Sequence, residues 1–221
     1  MKPMEEELRD LKVKILKMGS LVEEAIGLAI KALVERDDRL AEQVIDGDRV
    51  INAFDVEIDE ECIRVLALRQ PVGGDLRFIT TAMKITTDLE RIGDFAENIG
   101  KFALQLNQDP QLKPYIDIPV MAEAVRGMVV DVLEAFTRPD TDLAYDVIRR
   151  DEKVDLLSGQ IFNELLFFMI KDPTTVSRAV KISYVAKYLE RMADHSTNIA
   201  EMVIYMVEGK IIRHTSPTGT S

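Results

Sequence analysis

The chain of 221 residues has no tryptophan, a single cysteine, two histidines and few glycines or aromatics. Cys62 alone cannot close an internal disulfide and no secretory leader opens the chain, so a reducing cytoplasm is the expected location. Positive charge is also in deficit. With a net charge of −11 and no basic stripe, the chain lacks the surface that DNA or RNA binding depends on. No apolar run approaches the roughly 18 residues of a membrane span, which leaves only peripheral association with a membrane complex through partners. Catalytic signatures are missing too. There is no Gly-rich loop after a strand, no Ser-His-Asp set and no paired His-Glu helix motif, and the expectation is a protein that is not an enzyme. What is present, 47% hydrophobic and 30% charged residues, is the balance of a folded, helix-rich protein suited to cations or basic partner surfaces.

An internal repeat organises the chain. Asp88 to Gly100 (DLERIGDFAENIG) returns one hundred residues later as Tyr188 to Ala200 (YLERMADHSTNIA). Apolar or small residues recur at spacings of three and four in both copies, Leu89, Ile92, Ala96 and Ile99 matching Leu189, Met192, Ser196 and Ile199, so each copy reads as a helix with one buried seam. Upstream, Leu40, Val44, Ile51, Phe54, Ile58 and Val65 pair at an offset of 103 with Leu143, Val147, Val154, Leu157, Ile161 and Phe168. Three helices followed by three are predicted. The fold class is therefore all-α, two tandem up-down-up three-helix bundles, each long enough to bury a core of its own. The first bundle takes residues 1–108, with Asp75 expected to cap its third helix. Residues 109–119, with three prolines, form a linker, 120–214 the second bundle, and 215–221 a disordered tail.

Glu90, Asp94 and Asn98 stand at i, i+4 and i+8, as do Glu190, Asp194 and Asn198, which on a helix sets them along one face. The middle helices add Asp48 and Asn52 in the first half and Asp151 and Asp155 in the second, again four apart. Carboxylates at that spacing repel by roughly 1 kcal/mol even in a water-like dielectric, so a compensating charge is expected. Local arginines, Arg91 and Arg191, could supply it, and so could a hard cation such as Mg²⁺, Mn²⁺ or iron, which takes oxygen donors from facing helices. His195 has no second His at ligand spacing and reads as a packing or supporting residue, and Cys62, in register with Leu165, as a small core residue.

Arg69-Gln70-Pro71-Val72, then Asp75-Leu76-Arg77, Lys84, the Leu89 to Asp94 core and Asn98-Ile99 resemble, in order, the first-half signature of the PhoU family, and Leu189 to Asp194 with His195 and Asn198-Ile199 resemble its partner. The resemblance implies a negative regulator of the phosphate-starvation response that is cytoplasmic and often a homodimer. It would link the phosphate ABC transporter, through its ATPase, to a sensor histidine kinase. It also implies metal clusters of iron, zinc, manganese or magnesium at Asp48, Asn52, Glu90 and Asp94 and at Asp151, Asp155, Glu190 and Asp194, with Asn98 and Asn198 alongside. Asn52 departs from a strictly acidic pair and lowers the charge of the first site. The basic loop holding Asp75 and Arg77 is the expected partner contact. Two rival readings are a carboxylate-bridged metal enzyme of ferritin-like type, which usually needs a Glu-x-x-His motif absent here, and a metal-free helical scaffold.

Overall fold

The spacing of three and four is realised as six helices. The computed structural model describes residues 3–211 and comprises α1 (Pro3–Glu35), α2 (Asp38–Arg69), α3 (Gly73–Asn107), α4 (Asp117–Thr137), α5 (Thr141–Lys171) and α6 (Val176–Glu208), with a 3-10 turn at Pro173–Thr175 ahead of α6. No strand occurs among the described residues, and the fold is all-α, two three-helix bundles in tandem. The expected disordered tail at 215–221 lies outside the described residues.

Both middle helices start in the same way, at positions equivalent in the repeat. Asp37 Oδ1 accepts hydrogen bonds from the N–H groups of Arg39 and Leu40 at 2.9 and 3.4 Å, and Asp140 Oδ1 accepts one from Leu143 at 3.0 Å. Each aspartate thereby satisfies donors that a helix start leaves without partners. The third helix departs from expectation. Val72, extended at φ −129° and ψ 160°, is the residue that precedes it, and Asp75 lies inside the first turn rather than capping it. There its charge still favours the positive end of the helix dipole. Helix α4 begins at Asp117, three residues before the expected Val120. Pro119 is tolerated because the first turn of a helix has no use for its missing N–H.

The 108–116 connection is packed down. Arg36 donates to the carbonyls of Asn107 and Asp109 at 2.6 and 2.7 Å, Arg178 donates to that of Pro110 at 2.8 Å, and the buried Lys113 pairs with Glu164 of α5. Helix α3 packs on α1, α2 and α6, helix α6 on α3, α4 and α5, and α1 meets α4. Four central helices thus carry α2 and α5 on their flanks. The buried side chains form one continuous core, so the halves share an interior where the sequence led us to expect two. The reason lies in α3 and α6, which bury far more residues than α2 or α5 do. At full burial each Leu or Ile contributes about 1.5–3 kcal/mol. Close packing extends to the backbone: a Cβ on Gly93 would lie 3.1 Å from the Ile51 side chain, and one on Gly100 3.2 Å from the Ala41 carbonyl.

Candidate metal centre

Helix α2 lies against α3 and α5 against α6, and each pairing brings carboxylates of the middle helix to carboxylates of the repeated motif. In the first half Asp48 is buried at 8% exposure. Its Oδ2 accepts from Asn52 Nδ2 at 2.7 Å, while its Oδ1 and the Asn52 Oδ1 have no hydrogen-bond partner. Burial pushes the Asp48 carboxyl up, the charges of Glu97 and Asp94 add to this, and the Asn52 bond and Lys101 oppose it. Glu90 is raised in the same sense by burial and then by Asp94, with Arg91 opposing and Asp55 and Asp48 contributing. Asp55 is raised by burial and by Asp59.

The second half is built alike. The Asp151 carboxyl is pushed up to about 6 by burial, then by the charges of Asp155, Asp194 and Glu190, and its Oδ1 too lacks a hydrogen-bond partner. Burial and Glu190 raise Asp155, and burial, Glu190 and Asp155 raise Asp194. Glu190 goes the other way. Burial works against its ionisation, but hydrogen bonds from Lys187 and from Ser158 Oγ, the latter at 2.8 Å, hold its carboxyl below the usual range.

These donors suit a hard cation: they are oxygens, they repel one another, and at equivalent positions, Asp48 and Asp151, each set holds a buried oxygen with nothing to bond. Among the described residues, however, no three carboxylate, His or Cys side chains converge closely enough to hold an ion. Cationic side chains partner several of them instead. Arg91 reaches Asp94 at 3.1 Å and Glu90 at 3.6 Å, and Lys187 pairs with Glu190. Arg191 does not repeat the role of Arg91; its guanidinium lies 5.8 Å from the centroid of the Phe95 ring.

Eight of the expected site residues thus gather in two sets of four. Asn98 and Asn198 stand half-buried farther along α3 and α6, and no hydrogen bond ties either to the carboxylates. Asp55, Glu97 and Ser158 belong to the sets and were missed. Asp55 and Glu97 are at i+7 from Asp48 and Glu90, a spacing that also keeps one helix face. They escaped notice because their counterparts, Ser158 and Thr197, break the repeat.

Between the sets runs the α3–α6 seam. Here His195 Nδ1 is hydrogen-bonded to Asp88 Oδ1 at 2.7 Å, and Phe95 stacks on Tyr188 with centroids 5.6 Å apart. In the repeat Asp88 corresponds to Tyr188 and Phe95 to His195, so one contact of the crossing is polar and its equivalent aromatic. The two departures from the repeat compensate each other. At the end of the bundle, Arg77 Nε donates to the Met206 carbonyl at 3.3 Å, tying the start of α3 to the end of α6, while Asp75 is exposed. Cys62 is buried, and its thiol is pushed up to about 12 by burial, then by Asp59 and Glu61. Among the described residues no helix is long and apolar enough to cross a membrane.

Comparison with known proteins places this architecture. The family model described as "PhoU domain" matches twice, over residues 15–103 and 118–203. The "Phosphate-specific transport system accessory protein PhoU homolog" of Aquifex aeolicus (strain VF5) is 46% identical over 208 residues, covering 94% of each chain. That of Pseudomonas putida is 42% identical, covering 94% of this chain and 82% of its own. Two crystal structures have the same fold. PhoU from Pseudomonas aeruginosa superposes with a TM-score of 0.90 at 41% identity, over 93% of this chain and 99% of the other. The phosphate transport system regulatory protein PhoU from Streptococcus pneumoniae gives 0.88 at 31%, over 94% and 98%.

Proposed function

Since the chain belongs to the PhoU family, we propose that it is an accessory protein of phosphate transport that acts as a negative regulator of the phosphate-starvation response. It does so in the cytoplasm, as a metal-binding homodimer rather than as an enzyme, linking the ATPase of the phosphate ABC transporter to a sensor histidine kinase. The observation that supports the regulatory half is the match, over 94% of the chain, to relatives named as accessory and regulatory proteins of that transport system. The observation that supports metal binding is the pair of buried, unpartnered carboxylate oxygens at equivalent positions, Asp48 Oδ1 and Asp151 Oδ1.

On this reading Asp48, Asn52, Glu90 and Asp94, with Asp55 and Glu97 beside them, hold one ion or ion cluster, and Asp151, Asp155, Glu190 and Asp194 hold the other. The candidate ions are iron, zinc, manganese and magnesium, all of which accept carboxylate oxygens. Held by these residues, a cation would offset the repulsion within each set and would link a flanking helix to a central one. Asp151, whose carboxyl is pushed up to about 6, would have to lose its proton to act as a donor, so binding would be coupled to pH. The test is a phosphate-responsive reporter in cells lacking this chain. Derepression under abundant phosphate, reversed by the wild-type chain, is the expected result. A reporter that stays repressed in the deletion removes the regulatory assignment.

A further inference from the structure

Helices α1 and α4 lie side by side and form two clefts lined by residues 16–35 and 119–138 alone. One, of ≈ 400 Å³, joins Leu16 and Ser20 to Thr137, and the other, of ≈ 250 Å³, joins Lys31 and Val34 to Pro119 and Glu123. The earlier part of α1 thus stands beside the end of α4, and the two helices are antiparallel. Between the clefts Arg126 Nε donates to Glu23 at 2.9 Å. The offset of 103 that relates α2 to α5 also relates these helices, since Met18 and Met121, and Val22 and Val125, are all buried. Glu23 and Arg126 are therefore equivalent positions that bond to each other, and the internal twofold passes close to their pair.

Four apolar side chains stand on the outer side of this helix pair, Val13, Leu16 and Val34 of α1 and Val130 of α4, each between 40% and 58% exposed. Charge is nearly balanced here. The clefts are lined by three cations, Lys31, Arg126 and Arg138, and four acids, Glu23, Glu35, Glu123 and Glu134, on a chain of net charge −11. Each has an opposite charge within the chain: Arg126 holds Glu23 and Glu123, Arg138 reaches Glu134 at 3.5 Å, and Lys31 reaches Glu35 at 4.0 Å. Across the groove the signs are opposed level by level. Lys31 shares a cleft with Glu123 and Glu23 meets Arg126, whereas Glu134 shares its cleft with the uncharged Leu16 and Ser20.

Resting on the homodimer reading given above, we infer that the α1–α4 face is where a second copy of the chain binds, about a twofold axis that lies in the face and runs along the helices. Such an axis carries α1 of one copy onto α4 of the other at an unchanged level. Lys31 of each copy then faces Glu123 of the other, and Glu23 faces Arg126, which is the self-complementarity an isologous contact requires. A twofold across the helices through the same centre would instead lay α4 on α4 and set Glu123 against Glu134. A partner with charge of one sign would meet a repelling group beside each attracting one, whereas a second copy presents the matched pattern. The face is also large enough. The 21 residues of α4 span roughly 30 Å and two helices side by side about 20 Å, so a dimer would bury roughly 1,200 Å² in all, the lower bound of specific interfaces.

The test is sedimentation equilibrium of the full chain over a range of concentrations. The wild type should be a reversible dimer. Val130→Glu should raise its dissociation constant roughly tenfold or more and Lys31→Glu roughly threefold, both with helix content unchanged. Combining Lys31→Glu with Glu123→Lys should recover much of the affinity that Lys31→Glu loses, which damage to the fold would not. A dimer that neither Val130→Glu nor Lys31→Glu weakens, or a double variant that recovers nothing, overturns the inference and leaves the homodimer reading standing. A wild-type chain that stays monomeric at every concentration overturns both.

Discussion

The two carboxylate sets occupy equivalent places in the repeat but differ in what surrounds them. The first gathers Asp48, Asn52, Asp55, Glu90, Asp94 and Glu97, and the second has Asp151, Asp155, Ser158, Glu190, Asp194 and Thr197 at the same positions. The first set holds more acid, yet the strongest perturbation falls in the second. Its middle helix offers two carboxylates four apart, where the first offers a carboxylate bonded to an amide. Asn52 donates to Asp48 and opposes its rise, whereas Asp155 only repels Asp151. In the second set the stabilising donors, Lys187 and Ser158, are spent on Glu190. Burial raises both carboxyls first, and the neighbours then act in opposite senses, Asn52 opposing the rise of Asp48 and Asp155 adding to that of Asp151.

The largest effect expected is on bound metal. Glu190→Ala with Asp194→Ala removes two donors of the second set and should cut the metal content of protein purified without chelator by about half, with helix content retained although the Glu190 bonds to Lys187 and Ser158 are lost, since substitutions at partly exposed positions cost little stability. Unchanged metal content in elemental analysis breaks the equivalence of the two sets.

Packing distinguishes the halves at Gly93, whose place is taken by the buried Ala193 in the second. Gly93→Leu drives a side chain into Ile51 and Asp48 and should cost about 1–3 kcal/mol in denaturant unfolding. A cost near zero would mean that α2 and α3 can part freely.

Charge should act in the opposite direction. The Asp151 carboxyl titrates near 6 in the folded chain against an ordinary 3.8. Below 3.8 both states are protonated and the residue contributes nothing. Between 3.8 and about 6 the native state keeps a proton the unfolded state has lost, so metal-free stability falls as pH rises, and above 6 the full penalty remains. Asp151→Asn should therefore raise the metal-free stability at neutral pH by about 1 kcal/mol and flatten this dependence. Asp48→Asn should do the same more weakly. Equal effects at the two positions, or a destabilisation at Asp151, contradict the contrast drawn above. The smallest effect is that of Ala193→Gly, which leaves the core volume almost intact and should cost about 0.5–1 kcal/mol through backbone entropy.

Helix positions were legible in the sequence because burial repeats: Val44 with Val147, Ile58 with Ile161, Leu89 with Leu189 and Ile99 with Ile199 are all buried. The four polar positions of each set were legible because they too recur at helical spacing. The shared core was not, since the residues that join α3 to α6 are not a repeated motif but complementary departures from it, Asp88 with His195 and Phe95 with Tyr188. Asp55 and Glu97 were not legible because neither recurs, their counterparts being Ser158 and Thr197. Arg77 is a further lesson. A contact with a partner protein is expected of it, and the structure adds a bond to the Met206 carbonyl that sequence spacing cannot reveal.

The central claim is that both carboxylate sets hold cations. Anomalous diffraction from crystals grown with Mn²⁺ tests it most directly: the account predicts anomalous density beside Asp48 and Glu90 and beside Asp151 and Glu190, and crystals with none at either place would contradict it.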